Sequence, residues 1–136
     1  VTEAWAGTIA GQGADVLFTM LNAARDGATR ACRAAGIRQI GNVGDWTATD
    51  PETYIASAVA RIDLGVLRAT ADLLAGVRPA EVQPLGQTDG AVRLALASDL
   101  EPGIAAELDD LAAGIAAGRI PVPTTYDGPE FAPPPA

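Results

Sequence analysis

One short apolar run without polar alternation, Asp15-Val16-Leu17-Phe18-Thr19, and a second strand candidate, the stretch 37–41, flank an alanine-rich segment that runs from Asp26 to Ala35. This arrangement restricts the fold more than any other feature of the chain. A strand that is apolar on both faces needs cover on both, which parallel sheets obtain from crossover helices. The intervening segment suits such a helix, because Asp26 is placed to cap its first amides and Gly36 to take the left-handed closing position. Upstream, Ala4, Trp5, Thr8 and Ile9 recur at helical spacing, and Gly11-Gln12-Gly13 supplies a stop and a turn. The order α, β, α, β with connections of a few residues predicts an α/β fold of three layers around a parallel, doubly wound sheet.

Farther along, the residues alone leave two readings open. Asp50-Pro51-Glu52 resembles a helix start, and propensity would carry that helix to Leu74. Tyr54-Ile55-Ala56-Ser57-Ala58-Val59 reads equally as a strand, with Asp63 capping a separate helix over 64–75. Beyond Arg78-Pro79, the stretch 82–86 is a short extended piece, and Thr88-Asp89-Gly90 is a turn. Residues 91–97 alternate Val92, Leu94 and Leu96 on one face, the pattern of a half-buried strand. Glu101-Pro102 opens a last helix with Ile104, Leu108, Leu111 and Ile115 on one side and Gly118 at its end. The expected organisation is a folded unit over 1–123 and a proline-rich flexible tail over 124–136.

Composition removes several function classes. A chain of 136 residues that is 49% apolar is expected to form one globular domain. Nine basic groups against seventeen acidic ones give a net charge of −8, which argues against nucleic acid as a partner. With no histidine, the chain by itself builds neither a Ser-His-Asp or Cys-His nucleophile system nor an imidazole metal site. Cys32 is the single cysteine, so an internal disulfide, a zinc ribbon and a Cys-x-x-Cys pair are all excluded, and its alanine-rich surroundings predict a small core residue. Glu107, Asp109 and Asp110 read as solvated helix charge, and no metal, cofactor or catalytic residue is expected. Gly7, Gly11 and Gly13 precede a strand instead of following one, which is the wrong context for a dinucleotide turn. No apolar run approaches the length of about 18 residues that spans a bilayer.

In an open parallel sheet, ligands lie beyond the carboxyl ends of the strands, where loops diverge and helix starts offer free amides. Two loops here meet that description. The first, 20–26, offers Asn22 and Arg25, and the second, 42–47, offers Asp45 and Trp46. An ionised Asp45 can accept two neighbouring hydroxyl protons, although a loop aspartate also caps the backbone two or three residues on. Trp46 can stack on a flat ring or cover the edge of the sheet.

Several motifs in one order resemble the carboxyl-terminal half of the basic membrane protein family, the substrate-binding lipoproteins of bacterial ABC importers, which include purine nucleoside receptors. Gly13-Ala14-Asp15-Val16-Leu17-Phe18 resembles the family's G-A-D-V-I-F strand, and Asp26-Gly27-Ala28 its N-G-V helix start. Gly41-Asn42-Val43-Gly44-Asp45 stands in place of G-V-D-S-D, and Ser57-Ala58-Val59 followed by Asp63 resembles the S-V-V-K-N-V-D hinge. Gly86, Gly90-Ala91-Val92 and Leu94 resemble G-L-x-x-G-G-V-x-L, and Gly118 to Pro123 resembles the closing G-x-I-x-V-P.

The resemblance implies half of a type I periplasmic-binding-protein-like fold, in which two lobes close on a ligand and the segment around Ser57 is a strand crossing between them. It implies a non-catalytic receptor for a nucleoside-like small molecule that works with an ABC permease. It also implies an extracytoplasmic protein held by a lipid anchor outside this sequence. Asp45 becomes a ligand contact, because the last Asp of G-V-D-S-D binds ribose in nucleoside-binding members. The family's A-G-G-T-G is here Leu21-Asn22-Ala23-Ala24-Arg25, its first G-V-D-S-D aspartate is Val43, and its hinge lysine is Ala60, with Arg61 beside it. The candidate ligand-binding residues are therefore Asp45, Trp46, Asn22 and Arg61. An amino-terminal lobe, or a second chain including another copy of this one, is expected to complete the cleft. The alternative is a ligand-sensing or protein-interaction module that kept the fold and lost transport.

Overall fold

The computed structural model describes residues 1–78, 81–123, 125 and 128. Helix α1 (Thr2–Gly11) leads into strand β1 (Val16–Phe18), helix α2 (Arg25–Ala35) and strand β2 (Arg38–Val43). Strand β3 (Tyr54–Ala60), helix α3 (Ile62–Leu74), strand β4 (Val92–Leu96) and helix α4 (Pro102–Ala116) complete the order. The four strands lie side by side in chain order. The ambiguous stretch after Asp50 is thus a strand followed by a separate helix. The proline-rich tail expected over 124–136 lies outside the described residues apart from Thr125 and Gly128.

Small side chains set the packing of the first half. Ala6 of α1 and Ala28 and Ala31 of α2 form a buried cluster against which Leu17 and Leu21 pack. The helices approach closely, since a Cβ on Gly27 would stand 3.1 Å from the backbone nitrogen of Glu3. Leu17 therefore faces the helices, and alternation turns Val16 and Phe18 to the opposite face, where they are 38% and 57% exposed. Cys32 is fully buried, as its surroundings predict, and burial pushes its thiol pKa up, away from thiolate reactivity.

Beneath α2 the sheet is polar. Gln39, with no exposed surface, donates from Nε2 to Thr19 Oγ1 at 2.8 Å and accepts from Thr29 Oγ1 at 3.4 Å. The hydroxyls of Thr29 and Tyr54 meet at 2.8 Å. Each buried polar group here has a partner, so the network costs little and fixes the seat of α2.

β1, β2 and β3 run parallel, whereas β4 runs antiparallel to β3, with Ala60 opposite Val92 and Ala56 opposite Leu96. The expectation of a wholly parallel sheet is corrected at this edge. The alternation of Val92, Leu94 and Leu96 has the form of a one-sided antiparallel strand, but the expected buried face is corrected: Val92 and Leu94 are 44% and 41% exposed, and Ala91, Ala95 and Ala97 on the other face are buried. A register shift between Gln39 and Ile40 leaves Ile55 of β3 without an opposite number, so Tyr54 and Ser57 both pair with alternate residues of β2, Gln39 and Gly41.

Two expected caps are absent. Helix α2 begins at Arg25, one residue before Asp26, and α3 begins at Ile62, so neither Asp26 nor Asp63 stands at the capping position, and neither helix has a side-chain cap. Gly36 takes the left-handed closing position at φ 67°.

The second half is far less covered. Helix α3 buries no residue, and α4 buries Gly114 alone. Leu67, Leu73 and Leu74 are 66%, 61% and 85% exposed.

Candidate functional site

The carboxyl ends of β1, β2 and β3 and the start of antiparallel β4 lie at one edge of the sheet, so the loops around residues 19–25, 42–48, 60–63 and 91–93 form one rim. β2 ends in strain. Val43 has φ 68°, and the N–H of Gly44 donates to the carbonyl of Asn42 at 2.8 Å, which makes a three-residue γ-turn in its rare positive-φ form. A β-branched residue in that region costs of order 1–3 kcal/mol.

The tight turn brings the chain back over the sheet, where Trp46 locks it down. Its indole Nε1 donates to the same Asn42 carbonyl at 3.0 Å, and its backbone N–H donates to the buried Ser57 Oγ at 3.0 Å. The ring lies over Gly41, where a Cβ would fall 2.6 Å from Trp46 Cδ1, so only glycine fits beneath it. Its centroid is 6.0 Å from that of Tyr54, and the Arg25 guanidinium sits 3.9 Å from the indole centroid. Trp46 is therefore sandwiched between sheet and cation, with its faces occupied.

Arg25 joins the first loop to the second. Its Nη2 donates to the Leu21 carbonyl at 2.7 Å and to Asn42 Oδ1 at 3.4 Å, while Nε is buried without a partner. Behind it, a groove of about 410 Å³ runs between α2 and the β2–β3 loop, lined by Arg25, Thr29, Arg33, Trp46, Asp50 and Tyr54 among others. Asp45 is not among its lining residues.

Asp45 stands beside Trp46 on the rim. Its Oδ1 accepts the Thr47 hydroxyl at 2.6 Å and the Ala48 N–H at 3.3 Å, the local cap that its sequence context also allows. Its Oδ2 accepts Arg93 Nη2 at 2.9 Å, across to β4. The Thr47 hydroxyl, then the Arg93 guanidinium, hold the Asp45 carboxyl below its ordinary pKa against a smaller opposing effect of burial. The Asp45 side chain is 29% exposed and that of Arg93 is 55% exposed.

The four sequence candidates are not joined into one cluster. Asp45 and Trp46 are adjacent in the second loop. Asn22 is exposed in the first, where its backbone carbonyl accepts the Arg25 N–H at 3.1 Å. Arg61 follows β3 at the start of α3, and its guanidinium is held by Asp63 through bonds of 2.8, 3.1 and 2.6 Å. Sequence reasoning missed Arg93. Its only trace is a charged residue between Val92 and Leu94, and which carboxylate that charge meets depends on the β3–β4 register. Among the described residues no group of three or more Cys, Asp or Glu side chains is placed to hold a metal ion.

No family model matches the chain, and no curated protein matches it in sequence. Among solved structures, a solute-binding protein of an ABC transporter system from Aeropyrum pernix has a TM-score of 0.73 at 21% identity, over 93% of this chain and 45% of that one. A solute-binding protein of an ABC transporter system from Conexibacter woesei has a TM-score of 0.60 at 18% identity, over 89% of this chain and 41% of its own. A transcriptional activator of the comK gene from Bacillus halodurans has a TM-score of 0.69 at 18% identity, over 79% of this chain and 38% of its own. This chain spans less than half the length of each. At such identities the likeness is one of fold, and the α/β architecture described above is that of part of a periplasmic-binding-protein-like structure.

Proposed function

We propose that this chain is part of the solute-binding receptor of a bacterial ABC importer, non-catalytic, and that its rim forms one wall of a cleft for a nucleoside-like small molecule. The observation that carries this reading is a partly exposed carboxylate, Asp45, on the rim beyond the carboxyl ends of the parallel strands, within a fold similar to solute-binding proteins. Trp46 and Asn22 stand on the same rim, as does Arg61 just beyond β3. The reading brings with it an ABC permease as partner, an extracytoplasmic location with a lipid anchor, and a second lobe closing over the rim. No described helix is long and apolar enough to cross a membrane.

Titration calorimetry of the full-length protein against a panel of nucleosides tests the proposal. Heat is expected with at least one member, and Asp45→Ala is expected to weaken that binding by about 1–3 kcal/mol. Absence of heat with every member removes the nucleoside reading.

A second reading has support from the likeness to the comK activator: a ligand-sensing module with a regulatory output. A permease and an ATPase encoded beside this gene favour import. A DNA-binding segment within the same polypeptide favours regulation.

A further inference from the structure

The hydrogen-bonding capacity of the rim is partly spent, and the remainder has a definite chemical character. An ionised carboxylate offers about four acceptor positions. Asp45 has three of them filled, by Thr47 and Ala48 on Oδ1 and by Arg93 on Oδ2. One acceptor position is left, too few to hold a pair of neighbouring hydroxyls. Arg93 carries five N–H donors, of which one is used among the described residues, and its side chain is 55% exposed. The place where Asp45 stands therefore offers one acceptor and an excess of charged donors.

The surrounding charge has the same bias. On a chain with a net charge of −8, the rim segments 19–25, 42–48, 60–63 and 91–93 contain Arg25, Arg61 and Arg93 against Asp45 and Asp63. The rim is locally positive on a strongly acidic molecule. Arg93 is held there by the sheet, because its position opposite Val59 of β3 sets it at the end of the sheet where Asp45 emerges.

We infer that Arg93 is a ligand-selecting residue of the rim, and that the Asp45–Arg93 pair recognises a hydroxyl donor lying beside an anionic group, a carboxylate or a phosphate, on the same ligand. The hydroxyl takes the last acceptor position of Asp45, and the anion takes the free fork of the guanidinium. A neutral nucleoside satisfies the carboxylate and leaves the remaining N–H donors of the guanidinium, already paired on one side with Asp45, without an anionic acceptor on the ligand. This rests on the binding-protein reading above and narrows its ligand class to acidic, hydroxylated molecules.

The test is calorimetry of the full-length protein with inosine, inosine 5′-monophosphate, D-glucose and D-glucuronate. One acidic probe is expected to bind at least about tenfold tighter than its neutral counterpart, with the phosphate and carboxylate arms separating the two anion types. Arg93→Met is expected to weaken the acidic probe by about 10- to 100-fold and leave its neutral counterpart within about twofold, with Arg93→Lys in between. Neutral and acidic members binding wild type equally, or Arg93→Met keeping the preference, overturns the inference alone. If none of the four binds, the receptor reading falls and the inference falls with it.

Discussion

Val43 holds a conformation that its branched side chain opposes, and the strain has an identifiable purpose: it folds the chain back so that Trp46 and Asp45 stand over the end of the sheet. Val43→Gly relieves that strain at the cost of some unfolded-state entropy, so a net gain of about 1 kcal/mol is expected in urea denaturation. Destabilisation instead would mean that the 43% exposed valine side chain contributes more than its backbone costs. At Asp45 the carboxyl pKa is depressed by Thr47 and Arg93. A depressed folded value means that the stabilisation is complete above the unfolded value of about 4 and is lost as pH falls through the folded one. Thermal melts of Asp45→Asn should therefore lie below wild type at neutral pH and converge with it in acid. Parallel curves across that range would show that the pair does not anchor the loop.

Helix α3 presents the clearest case at the level of elements. Leu67 and Leu74 are 66% and 85% exposed, so changing both to glutamine should cost less than about 0.5 kcal/mol each in this chain by itself. A loss of several kcal/mol in chemical denaturation would show that the helix packs against its own sheet. The same elements mark what was legible in the sequence. β1 and α2 were readable because a continuous apolar run and a closing glycine are local signals, and β2 followed as the segment just beyond that glycine. The stretch after Asp50 was not, since helix propensity and strand pattern compete there, and only pairing of β3 with β2 on one side and β4 on the other decides it. The direction of β4, and with it the meeting of Arg93 and Asp45, depends on register across 48 positions of sequence, which no local pattern encodes. The caps expected from Asp26 and Asp63 failed for a smaller reason: the helices begin two residues earlier than those caps require, and Asp63 is held by Arg61 instead. Asn22 was legible as a loop position from chain order and Arg61 only through the resemblance to the family's hinge segment, and the partners of neither were.

For the molecule as a whole, surface area is the informative quantity. A compact monomer of 13.8 kDa exposes about 6,600 Å², and this chain exposes 9727 Å². The excess is apolar in part, with Ile62, Val66, Leu67, Leu73 and Leu74 on or beside α3. Association is therefore expected whenever this segment is produced without a covering lobe, and sedimentation velocity over a tenfold concentration range should show species larger than one chain. A single monomeric boundary throughout would contradict it.

The unburied state of α3 also bears on how such a protein fares in a cell. A helix with no buried residue opens at little free-energy expense, and opened helices with exposed leucines are what quality-control proteases and chaperones engage. The steady-state amount of this polypeptide would then follow the supply of whatever docks on that helix, so that orphaned copies are cleared and assembled ones persist.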